Sequence, residues 1–155
     1  MEMKQLEINS ETREREKLII RISGKERSTG FLWLIAGFLG IAFGLFHIIN
    51  HQLGWLDWPP YIFEWNLYGF LILAAGIANL FVARSSLSRS RKILTENSNI
   101  VEEYNRKLPF FLFILLYNIF FGVAVVFRLL PAIMALLNRN FVLKNRQKLA
   151  RHPDV

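Results

Sequence analysis

The chain has 155 residues, a formal charge of +7, no cysteine and 53% hydrophobic residues. Without cysteine, disulfides, thiolate metal sites, covalent c-type haem attachment and a cysteine nucleophile are excluded. The apolar residues gather in long blocks with the charges between them, whereas a soluble domain spreads them with a period of two or 3.6.

The first thirty residues, "MEMKQLEINSETREREKLIIRISGKERSTG", mix both charge signs and reach a long apolar run only near Phe31. They do not resemble a signal peptide, so the first span is expected to stay in the protein. "KLIIRIS" permits a short strand, with Leu18, Ile20 and Ile22 on one side, and "ETREREK" reads as an exposed helical turn. Gly24 and "STG" at 28–30 are expected to separate this piece from the span, with Ser28 or Thr29 as its cap.

About 20 apolar residues are needed to cross roughly 30 Å of hydrocarbon. Three stretches meet this, 31–50, 61–83 and 109–127. The third is dense in Leu, Ile, Phe and Val, so its insertion gains on the order of 4 to 8 kcal/mol despite Tyr117 and Asn118. Pro131 then predicts a kink, or the first turn of an interfacial helix. Beyond 138 a basic tail begins, whose Phe141, Val142 and Leu149 are expected on the membrane surface.

Lysine and arginine in the short loops set the orientation. The N-terminal segment and the loop after the second span are basic, whereas "HQLGWLDWPP" carries neither residue type. The N-terminus is therefore expected in the cytoplasm of a multi-pass protein of a bacterial inner membrane or its equivalent. Three spans send the basic C-terminal tail outside, against the same rule. A re-entrant hairpin at 109–138 would resolve the conflict, but each leg is too short to cross fully, and three spans are preferred.

In the second loop, Ile93, Asn97, Ile100, Val101, Tyr104 and Leu108 follow a helical spacing. They predict an amphipathic cytoplasmic helix on the membrane or against the N-terminal segment. "SLSRSRK" reads as a positive flank able to attract anionic headgroups. The basic residues lack interleaved stacking aromatics, so no nucleic acid is expected as a partner.

Ala36, Gly40 and Gly44 recur every four residues in the first span, and the second offers Ala74 and Ala78. Such small faces let helices approach closely in lipid. The same face leads by helical steps to His47 and His51. An i, i+4 pair can share one metal, and Asp57 and Glu64 could complete the set. The opposing reading is an anchored hairpin. Trp55, Trp58, Tyr61 and Trp65 form an interfacial aromatic belt, Asp57 caps the second helix, and Glu64 meets its N-terminal dipole.

The expected fold is an all-α integral membrane protein, a three-span helical bundle with short polar termini and an amphipathic loop helix. Its segments are a polar part at 1–30, a membrane domain at 31–138 and a tail at 139–155. The expected function is association, as an accessory or assembly subunit or a homo-oligomer, without catalysis or a cofactor. Its partners are then the lipid bilayer and another protein or a second copy. The alternatives are a metal- or haem-binding redox protein using His47 and His51, and an oligomeric channel.

Overall fold

The computed structural model describes residues 2–53, 65–95, 100–106, 116 and 125–150. These form α1 (Glu2–Leu53), α2 (Trp65–Thr95), α3 (Ile100–Arg106), α4 (Val125–Lys144) and α5 (Arg146–Ala150), with no strand among the described residues. The protein is all-helical there. Two helices, α1 and α2, are long and apolar enough to cross a membrane. The third expected span lies almost wholly outside the described residues.

The expected boundary near residue 30 is not a break. α1 is one helix of 52 residues, about 78 Å long at 1.5 Å per residue. No strand forms at "KLIIRIS". Ser28 and Thr29 do not cap. Their hydroxyls donate to the carbonyls of Gly24 and Lys25 one turn back, at 3.1 and 2.9 Å, as hydroxyls do inside a helix. Gly24 costs about 1 kcal/mol against alanine in a helix. The helix continues because both sides of Gly24 are held by packing, Ile19 and Ile22 on one side, Trp33 and Ala36 on the other.

α1 and α2 pack antiparallel through two rows of small residues spaced by seven. Ser23, Gly30, Gly37 and Gly44 form the row on α1; Gly69, Gly76, Ala83 and Ser90 form the row on α2, and all eight are buried. Leucines spaced by seven fill the glycine gaps. A Cβ built on Gly30, Gly37 or Gly44 would meet Leu87, Leu80 or Leu73 within 2.8 Å. Reciprocally, Cβ atoms on Gly76 and Gly69 would meet Ile41 and Ile48. A recurrence of seven is the 3.5-residue period of helices that wrap left-handedly. The expected four-residue face is thus partly redrawn. Ala36, Gly40 and Gly44 are buried, but Ala74 and Ala78 are exposed on the outer side of α2, and Ala75 is the buried alanine.

Beyond the apolar stretches the helices do not disperse into separate polar segments. Ile19, Ile22, Ile93, Ile100, Tyr104, Val142 and Leu149 form one buried cluster, flanked by Leu18, Val101 and Phe141. Each large apolar side chain buried there stabilises by roughly 1.5–3 kcal/mol. The amphipathic loop helix therefore turns its apolar face to the N-terminal segment. The expectation that Phe141, Val142 and Leu149 lie on a membrane surface is corrected. Val142 and Leu149 are buried in this cluster. Phe141 lies beneath Lys25 and Arg21, at 4.1 and 5.3 Å from its ring centroid.

α4 runs through Pro131 without ending. An interior proline costs about 3 kcal/mol. Burial nearby offsets it, because Ala132 joins Trp33, Val82 and Ala83 in a second cluster. From there α4 descends past Thr29 toward the N-terminal part of α1. At the far end, Lys148 Nζ of α5 reaches Glu14 Oε2 at 2.9 Å. The C-terminal helices thus lie beside the N-terminal half of α1.

Candidate functional site

The most concentrated polar chemistry sits where α1, α2, α3 and α4 meet, just past the apolar stretches. Glu26 of α1 and Arg89 of α2 are 3% and 5% exposed, and Arg89 Nη1 donates to Glu26 Oε1 at 2.7 Å. Ser86 Oγ donates to the same carboxylate oxygen at 2.9 Å. The Tyr104 hydroxyl donates to the other, Oε2, at 2.6 Å. Arg89 Nε faces Glu103 Oε1 at 3.3 Å, and its guanidinium lies 5.6 Å from the centre of the Tyr104 ring.

Helix register explains how these groups came inside. Glu26 lies seven residues from both Ile19 and Trp33, and Arg89 seven from Val82, so each occupies a core position of the wrapped pair. An unpaired charge there would carry a desolvation penalty of several kcal/mol. Here both carboxylate oxygens are satisfied by three donors from two other helices. Burial chiefly, and the Glu26 carboxylate beside it, push the Tyr104 phenol far above its usual range. It stays protonated and able to donate.

Smaller bonds extend the network along the seam. Ser23 and Ser90 each donate to the other's carbonyl, at 2.8 and 2.9 Å. Asn138 Nδ2 of α4 donates to Thr29 Oγ1 at 2.9 Å, and Arg139 Nε to the Tyr104 carbonyl at 3.3 Å. Four helices are therefore cross-linked at one level. A carboxylate with both oxygens so engaged is a structural clamp.

The residues singled out in the sequence lie at the other end of the hairpin. His47 is half-buried between the helices, edge-on to Tyr68 with centroids 5.8 Å apart and to Phe46 at 6.0 Å. His51 is on the last turn of α1; nothing of its side chain, nor of Asp57 and Glu64, lies within the described residues. Trp55, Trp58 and Tyr61 of the expected belt also fall outside them. Among the described residues no group of three or more His, Asp or Glu side chains could hold a metal. Asn50 is buried nearby, and its Oδ1 meets no hydrogen-bond donor among the described residues.

Sequence reading missed Glu26, Arg89 and their serines because charges in basic flanks read as solvated. A usable signal was present, since Glu26 and Arg89 continue the seven-residue spacing of apolar neighbours. Comparison with family models, curated proteins and solved structures finds no match for this chain.

Proposed function

We propose that this is a small integral membrane protein that acts through helix association, as an accessory or assembly subunit or a homo-oligomer, without catalysis of its own. The observation that carries this reading is an inside-out apolar pattern. Over the stretches that face each other through glycine and serine, the large apolar side chains point outward. Phe31, Ile35, Phe38, Phe46, Phe70 and Phe81 are all exposed. A contiguous exposed face of that kind marks a membrane or partner surface. Ala74 and Ala78, one turn apart on the outer side of α2, leave room there for another helix.

The chain is multi-pass in this reading, with the N-terminus on the cytoplasmic side as its basic flanks direct. The contact of Lys148 with Glu14 supports an even number of crossings in place of three, with both termini on one side. This arrangement keeps the basic tail off the outer face.

Carbonate extraction tests the membrane reading: the protein is expected to stay with the membrane and to need detergent for release. Purification in mild detergent, with identification of co-purifying chains and of the mass of the complex, tests association. A monodisperse single chain without partners in a native membrane extract would refute that part.

A further inference from the structure

One flank of the α1–α2 hairpin is covered by α4, and the other carries arginines. On α1, Thr29 and Trp33 lie to one side of the glycine row and touch α4, through Asn138 and Ala132. Arg27 and Phe31 lie to the other side, both exposed. On α2, Val82 and Ile93 face the covered side, whereas Arg84 and Arg91, seven apart, are exposed on the open one. Helical register therefore sets Arg27, Arg84 and Arg91 on the same open flank.

Their heights agree with a membrane surface. Gly30 sits against Leu87, and the helices run antiparallel. Arg27 and Arg91 thus lie about one turn, roughly 5 Å, below that contact, and Arg84 about one turn above it. The Arg27 guanidinium rests 5.7 Å from the centre of the Phe31 ring, where the apolar stretch begins. Arginine at that depth reaches the headgroup layer.

Among the described residues no carboxylate answers these charges. α2 contains no acidic residue, and the only one in α1 after Lys17 is Glu26, buried and engaged by Arg89. α3, which carries Glu102 and Glu103, packs on the covered side with α4. The described residues supply no counter-charge to this flank.

We infer that this flank binds the phosphate of an anionic phospholipid headgroup, with Arg27, Arg84 and Arg91 as its ligands and Phe31, Phe38 and Ile77 against the acyl chains. The inference rests on the membrane reading above. It goes further by assigning a lipid class and three residues.

The test uses the full chain in mild detergent, titrated with phosphatidylglycerol or phosphatidylcholine and read by native mass spectrometry. Each basic residue near the surface contributes a factor of about five, so selectivity for phosphatidylglycerol should reach about tenfold or more. Arg27→Gln/Arg84→Gln/Arg91→Gln should abolish it, and Arg13→Gln/Lys144→Gln/Arg146→Gln, an equal loss of charge elsewhere, should not. Selectivity that survives the first variant, or is lost equally in both, overturns the assignment. Displacement of the lipid by equimolar glycerol phosphate also overturns it, since a free phosphate site would then suffice. Should the first variant fail to fold, rising salt on the unaltered protein decides, because a headgroup site must lose selectivity. A protein that resists carbonate but shows no lipid preference refutes this inference alone; one that carbonate releases refutes the membrane reading.

Discussion

The hydroxyl of Tyr104 reaches Glu26 Oε2 at 2.6 Å, joining residues 78 positions apart and fastening the short helix α3 to the first long one. Arg89 holds the other oxygen of the same carboxylate. One buried charge pair and one phenol thereby tie three helices at the edge of the apolar region.

Breaking that clamp from one side should be costly. Arg89→Met or Glu26→Gln leaves the opposite group buried without its counter-charge, which costs about 3–5 kcal/mol. Thermal unfolding in detergent, followed by circular dichroism, should show it. The exposed Glu14–Lys148 pair is the control. Lys148 holds the Glu14 carboxyl below its usual range, yet both side chains are over half exposed, so Glu14→Gln should leave stability nearly unchanged.

The clamp should also weaken in alkali. The phenol of Tyr104 is raised by burial and by Glu26, so its stabilisation is complete below the unfolded tyrosine value of about 10 and falls as pH rises beyond it. Stability between about pH 9 and 11.5 should therefore decline more steeply in the unaltered protein than in Tyr104→Phe. Equal slopes would show that the phenol is not held protonated by the fold.

Glycine-to-alanine substitutions should divide by position along α1 and α2. Gly24 has nothing within 4 Å of a built Cβ, so Gly24→Ala should stabilise by about 0.5–1 kcal/mol. At Gly44 and Gly76 the Cβ would come within 2.6 Å of backbone atoms, those of Leu73 and Ile41, and the helices must part. Gly76→Ala should cost about 1–3 kcal/mol. Gly30→Ala should cost less, since it meets chiefly the flexible end of Leu87.

Sidedness can be read in this cysteine-free chain by single cysteines. Ser10→Cys and Asn145→Cys should react with an impermeant reagent from the same side of the membrane, because α5 lies beside the N-terminal half of α1. Reaction from opposite sides would restore three crossings.

The purified protein should carry neither stoichiometric metal nor haem, and His47→Ala/His51→Ala should leave its metal content and visible spectrum unchanged. Zinc, iron or haem lost in the double variant would revive the redox reading.

The sequence alone determined that the chain is helical and apolar in long blocks, because composition and the length needed to cross a bilayer act locally and need no partner. It also exposed the apolar face of the loop that became α3. It did not determine that α1 would run unbroken through Gly24, since local glycine and hydroxyl signals favour a stop and only packing on either side of them outweighs it. Nor did it show that Glu26 and Arg89 would be inside. A charge in a basic flank is solvated unless another helix supplies the opposite charge at the matching height, and that height is set by how glycines and leucines spaced by seven interlock. The C-terminal helices took their side of the molecule for the same reason: Val142 and Leu149 found an apolar cluster that exists only once the ends of α1, α2 and α3 have been brought together.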